Sequence, residues 1–220
     1  KPSADIELEP EENQPEALPM PFNHLLDMEQ DLTVQDVQAD GVWDGQTATK
    51  PAEDENGVYQ IANGENLAWF AKLVNGTLPG GTPKNAGAKA VLLNDIVLGD
   101  DSNKTNWTPI GNSSNKYVGS FDGQGHTIRG LGIETTAANQ GLFGYIGSTG
   151  GVRGVTVEGK ISAGNQTGGI VGWNEGAIEN CGNKSSITST QKNVGGIAGN
   201  NYGATSSPYA TITGCYNIGS

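Results

Sequence analysis

The sequence predicts an all-β fold: a right-handed parallel β-helix of about five coils, with an N-terminal capping α-helix and an acidic extended leader. Three observations carry this prediction. Glycine is abundant, 34 of 220 residues, and none occurs before Gly41. A Gly-x-x-Gly element recurs at 141–144, 169–172 and 196–199. A second element follows each copy, as Val152-Arg-Gly-Val155, Ile178-Glu-Asn-Cys181 and Ile212-Thr-Gly-Cys215. So much glycine disfavours a helical bundle, because each helix-interior Gly costs about 0.5–1 kcal/mol relative to Ala. Repeated elements joined by loops of variable length are the mark of stacked coils.

The leader, residues 1–40, holds 11 acids against one base, Lys1. Residues 41–220 hold 13 acids and 11 bases, so the formal net charge of -12 belongs mostly to the leader. Pro2, Pro10, Pro15, Pro19 and Pro21 and a low apolar content predict an extended or disordered stretch over 1–22. Within 22–38, Phe22, Leu25, Leu26 and Met28 suit a turn of helix, and Leu32, Val34 and Val37 a weak strand. The leader reads as a linker from an upstream domain, and 41–220 as the β-helix domain.

The spacing predicts a helix over 65–75, with Asn63 as its cap, Glu65 in its first turn and Gly76 as a left-handed stop. Leu67, Phe70, Ala71 and Val74 share one face, suited to plugging the open end of the core. Val91 to Leu98 is the first strong strand. From there, alternate residues of stacked strands build ladders at about 4.8 Å spacing. Ile128, Val152, Ile178 and Ile212 form one expected ladder, and Leu131, Val155, Cys181 and Cys215 another. Gly is expected at positive-φ turns between faces. Asn183 and Asn217 align at a turn, where their amides can bond along the axis. Right-handed parallel crossovers are the rule. After Ser220 the pattern lacks a cap, so the natural protein is expected to run on.

Several function classes are excluded at this stage. No Lys/Arg cluster exists to bind phosphates, so nucleic acid is not an expected partner. No apolar run approaches the roughly 20 residues that span a bilayer, so membrane insertion is not expected. Two cysteines do not make a disulfide scaffold. Phosphate-loop, dinucleotide and nucleophile-elbow motifs are missing, and His24 and His126 are the only histidines.

The series Trp43-Asp-Gly45, Leu93-Asn-Asp-Ile96, Trp107-Thr-Pro-Ile-Gly111, Phe121-Asp-Gly-Gln-Gly-His-Thr-Ile128 and Gly141-Leu-Phe-Gly144, followed by two Gly-Gly-Ile-x-Gly units, resembles the GLUG-motif family of bacterial surface proteins. The resemblance covers roughly 41–220. It implies a secreted or wall-attached protein of gut or oral bacteria, whose repeats form a stalk or binding surface, sometimes beside an immunoglobulin-cleaving peptidase. It implies no catalytic residues in the repeat.

Four constellations are candidates for chemistry. Asp122, His126 and Arg129 suit a polysaccharide lyase or hydrolase, although inverting hydrolysis needs two carboxylates roughly 6.5–9.5 Å apart and Asp122 shows no acidic partner. A tight Gly turn is the preferred reading. Asp95, Asp100, Asp101 and Asn103 are candidate Ca2+ ligands, against a plain acidic loop, which is preferred; no cofactor is expected. Cys181 and Cys215 stack in neighbouring coils, preferably as small buried hydrophobes. Tyr145 and Trp173 share the place after the motif's last Gly, with Tyr202 slightly offset. Pointing outward, they make an aromatic strip suited to a sugar face or a protein hot spot; packing under a loop is the competing reading. Trp43, Trp69 and Trp107 are assigned to the core of the cap region.

The favoured function is a non-enzymatic structural or adhesive module, extracellular or on the bacterial surface, presenting a β-helix face to host protein or glycan. The binding residues are Tyr145, Trp173 and Tyr202, with no catalytic or metal residue assigned. The alternatives are a polysaccharide-acting enzyme and an immunoglobulin-binding region.

Overall fold

A chain of short apolar runs broken by Gly, Asn and Ser has no single strand long enough to bury a face, so its strands must stack. The computed structural model describes residues 41–100, 106–203 and 210–220. The acidic leader and its Pro-rich stretch lie outside the described residues. The described chain is mostly β, a parallel β-solenoid of about five turns with one helix.

The first hairpin pairs β1 (Ala52–Glu53) with β2 (Val58–Ile61) antiparallel. Helix α1 follows at Gly64–Asn75. Asn63 Oδ1 accepts from Asn66 N, and Gly76 closes the helix at φ 71°, as its sequence predicts. Its face of Leu67, Phe70, Ala71 and Val74 is buried. Phe70 packs edge-on against Tyr117, 6.1 Å between centroids, and lies 6.2 Å from Phe121. These contacts join α1 to the solenoid core.

Every later pairing is parallel. One sheet continues from β2 through β3 (Lys89–Leu92), β5 (Ser120–Asp122), β8 (Gly151–Arg153), β12 (Ala177–Glu179) and β17 (Thr211–Thr213). A second runs β4 (Ile96–Val97), β6 (Thr127–Glu134), β9 (Thr156–Ala163), then β13 (Gly182–Asn183) and β14 (Ser186–Ser189) end to end along β9 in the next turn, with β18 (Tyr216–Asn217) on β13. A third stacks β7 (Phe143–Ile146), β11 (Val171–Asn174) and β16 (Ala198–Asn201). A short fourth pairs β10 (Thr167–Gly168) with β15 (Val194–Gly195).

The run Val91–Leu98 is thus two strands and not one: the chain turns a corner between β3 and β4, so its two halves serve different sheets. The ladder assignments also change at the early turns. Val152, Ile178 and Ile212 do stack, but Phe121 lies beneath Val152. Ile128 belongs to the second sheet, under Val157 and then Asn183 and Asn217. Leu131 pairs with Gly159, across a register shift from Ile128. The Ile-Arg-Gly-Leu pattern at 128 therefore imitates the repeat without sharing its place: alternation marks an inward residue but not the sheet it belongs to. Val155, Cys181 and Cys215 stack as expected, tied by the Gly182 N bond to Val155 O and the Tyr216 N bond to Cys181 O.

The glycines of Gly-x-x-Gly are not positive-φ residues. A Cβ on Gly172 would meet backbone atoms of Asn139 at 2.4 Å, so close approach of the preceding turn demands the glycine. Positive φ is carried instead by stacked corners. Asn139, Gln166 and Asn193 are aligned at one, and Gly154, Asn180 and Gly214 at another. Asn is among the few side-chain-bearing residues that enter this region readily.

Two asparagines turn inward. Asn174 is fully buried; its Oδ1 accepts from Gly176 N at 3.1 Å and its Nδ2 donates to Asn201 Oδ1 at 2.7 Å. Asn183 repeats this arrangement with Ser185 N at 3.0 Å and Asn217 Oδ1 at 2.7 Å. The amide ladder expected of Asn183 and Asn217 is present, and a second exists beside it.

Candidate functional site

Outward side chains on stacked strands meet their counterparts one turn away, so the outer walls organise into columns. The aromatic column is the most elaborate. Tyr145 on β7 and Trp173 on β11 are register partners, with ring centroids 5.7 Å apart and planes 17° from parallel. The next register partner is Asn200, which has no ring. Tyr202 takes its place from two residues further on, 5.9 Å from Trp173 and tilted 59°. The structure therefore brings all three predicted residues together.

Their surroundings contain two groups that sequence reasoning missed. Lys116 Nζ lies 4.5 Å from the Tyr145 centroid and 2.9 Å from Glu175 Oε2. Tyr145 Oη donates to Glu175 Oε1 at 2.6 Å. Burial alone would raise the Glu175 carboxyl, but the bonds from Tyr145 and Lys116 outweigh it and hold the group below the usual range. The Trp173 indole N–H adds to this hold without forming a hydrogen bond of ordinary geometry. The Glu175 bond raises Lys116 in turn. Tyr145 is raised chiefly by burial, then by Glu175.

This geometry restricts what the column can do. Tyr145 is sandwiched between Lys116 and Trp173, and Trp173 between Tyr145 and Tyr202. Tyr145 is 8% exposed and Tyr202 54%. The stack offers ring edges, one open tyrosine face and a fixed ion pair.

The other constellations resolve into ion-pair columns. Asp122 lies beside Arg153 of the next turn, with Arg153 Nη2 2.6 Å from its Oδ2, so its neighbour is a base and not a second carboxylate. Asp122 Oδ1 also accepts from Gln124 N at 3.0 Å, the tight-turn bond expected of it. His126 and Arg129 turn to a different carboxylate, Asp95, at 3.3 Å and 2.8 Å. Arg129 continues to Glu158 at 3.5 Å and Glu158 to Lys184 at 3.0 Å, an alternating column through four turns. Asp122, His126 and Arg129 thus do not converge on one reacting centre.

Asp95 accepts from Thr127 N, and this bond, with Arg129 and His126, keeps its carboxyl low despite partial burial. Its lone pairs are directed to protein donors. Asp101 and Asn103 lie outside the described residues. Cys181 is a free, buried thiol pushed up to about 12, mainly by burial; Cys215 is free and half-buried. A thiol at that position is a packing group, not a nucleophile. Trp43 and Trp107 are buried and meet edge-on at 5.9 Å, as assigned. Trp69 is half-buried and packs against the core and against Tyr59.

Comparison with known proteins agrees with this architecture. Residues 163–188 match the family described as the GLUG motif. That stretch runs from the last residue of β9 to the third of the four residues of β14 and includes Trp173, Asn174 and Glu175. The chain is 32% identical over 94 residues to Halomucin of Haloquadratum walsbyi, covering 41% of this chain and 1% of that protein. It is 37% identical over 99 residues to a protein of Evansella cellulosilytica described as a Gly-rich membrane protein, covering 40% of this chain and 11% of that one. The chain thus spans only a small part of the length of these relatives. No solved structure matches it significantly. The chain carries a GLUG motif within a parallel β-solenoid, as the sequence resemblance implied.

Proposed function

We propose that this chain is a non-enzymatic module of a surface-associated bacterial repeat protein, a stiff β-solenoid that presents its outer aromatic column to a host protein. The observation that carries the reading is the Tyr145–Trp173–Tyr202 stack with its Lys116–Glu175 ion pair. Sugar recognition by stacking uses open ring faces, and this stack spends most of its faces on itself. Edges, a tyrosine hydroxyl and a fixed charge pair suit a protein hot spot, where Tyr and Trp are enriched. The relatives described as Halomucin and as a Gly-rich membrane protein support an extracellular or surface setting. The polysaccharide-cleaving alternative has weaker support, because Asp122 is bound to Arg153 while His126 and Arg129 serve Asp95.

The test is binding of purified immunoglobulin and mucin to the immobilised protein, compared with Tyr202→Ala and with a remote exposed change, Lys160→Ala. Saturable binding lost with Tyr202→Ala and kept with Lys160→Ala supports the reading. Absence of binding, together with cleavage of a uronic polysaccharide that Asp122→Asn abolishes, overturns it.

A further inference from the structure

A different part of the surface carries a second aromatic pair, Tyr59 and Trp69. Between α1 and the loop after it lies a cleft of about 610 Å³, lined by Lys50, Tyr59, Trp69, Thr82, Lys84 and Asn85 among others. Tyr59 and Trp69 form a corner, 5.4 Å between centroids and 55° between planes. Lys50 Nζ stands 6.0 Å from the first ring and 5.9 Å from the second, at the outer limit of a cation–π contact, so it is seated on neither. It is paired with Glu53 at 2.7 Å and is 58% exposed. On the opposite rim, Lys84 Nζ donates to the neutral Asn115 Oδ1 at 2.6 Å, which positions the ammonium without neutralising it. The loop carries Gly80 and Gly81, both at positive φ with open space where a Cβ would stand.

We propose that this cleft binds an acidic sugar unit of a polysaccharide. One face of a pyranose is a patch of C–H groups that packs on an aromatic platform, here Trp69. Its carboxylate meets two ammonium groups, and its hydroxyls meet the Thr82 hydroxyl and the Asn85 amide. The lining holds two lysines and no acid, within a segment, 41–220, of 13 acids and 11 bases; Glu53 stands beside it, paired with Lys50. A volume of this size lies within the range of small-ligand sites. An acidic peptide would satisfy the lysines but not the platform. The inference is independent of the role proposed for the aromatic column, since Trp69 lies on α1 and Tyr202 follows β16.

The experiment is a calorimetric titration with tetragalacturonate, maltotetraose and hexaglutamate, with tryptophan fluorescence as a second readout. Tetragalacturonate is expected to bind at least tenfold more tightly than either control. Lys50→Ala with Lys84→Ala, both exposed and tolerant of change, is expected to weaken it at least tenfold. Trp69→Ala is expected to abolish it, with circular dichroism confirming the fold; if that variant unfolds, the lysine pair still decides. Tyr202→Ala is expected to leave this binding unchanged. Equal binding of maltotetraose, equal binding of hexaglutamate, no effect of the lysine changes, or no heat at millimolar ligand each overturns the proposal.

Discussion

Replacing Asn174 by Ala tests the claim that buried amides hold successive turns together. Asn174 is 0% exposed, and its Oδ1 is the acceptor for the Gly176 N–H, a buried backbone donor at the corner after β11. Alanine removes that acceptor and leaves no room for bulk water. An orphaned buried donor costs about 1–3 kcal/mol, and the methyl-sized void adds about 1 kcal/mol. The Gly176 carbonyl loses less, because Thr211 N still donates to it at 2.9 Å. Asn201 and the Thr211 carbonyl, the remaining partners of Asn174, belong to exposed residues that can turn to water. The expected loss is about 2–4 kcal/mol, or roughly 4–16 °C in melting temperature for a chain of this size. Asn201→Ala, at the exposed end of the same ladder, is expected to stay within about 0.5 kcal/mol. Calorimetric melting and hydrogen exchange of the Gly176 amide measure both the global and the local effect. A loss below 0.5 kcal/mol for Asn174→Ala, or one no larger than that of Asn201→Ala, refutes the reasoning.

Two other outcomes follow from the same structure. Gly172→Ala sets a Cβ at 2.4 Å from Asn139 backbone, which cannot yield without moving the turn below; a loss above about 3 kcal/mol is expected, and near-normal melting would show that close approach is not what demands this glycine. The Glu175 carboxyl is held below its ordinary value and Lys116 above its own, so the stability they share is present at neutral pH. It is expected to fall as pH drops below the ordinary carboxylate range, about 4.3, and again as pH rises above the ordinary lysine value. Glu175→Gln should flatten the acid limb of a stability–pH profile, and an unchanged limb would assign it to other carboxylates.

The helix was legible residue by residue because its signals are local: Asn63, Glu65 and Gly76 each act within one turn. The solenoid was legible because each turn repeats a chemical requirement, and the Val152–Ile178–Ile212 and Val155–Cys181–Cys215 columns follow directly from it. At Ile128 the same logic failed, since an apolar alternation marks an inward residue without saying into which sheet it points. Glycine at turns between faces was legible, as Gly154 and Gly214 show, but positive φ and close approach both select glycine in sequence, and only the structure assigns the second cause to Gly172.

The sequence by itself determined the architecture of the described residues, a stack of parallel coils preceded by a helix, through glycine spacing and the period of its apolar residues. It also singled out Tyr145, Trp173 and Tyr202. Only the tertiary structure decided what those rings can offer. Lys116 and Glu175 are 59 residues apart, and their meeting under Tyr145 depends on how many residues each intervening loop takes. Likewise Trp69, assigned from the sequence to the core of the cap region, packs on that core and also forms one wall of a cleft lined by Thr82, Lys84 and Asn85. The number of turns between two residues is set by loop lengths that no period in the sequence fixes, and it is this number that decides which side chains become neighbours.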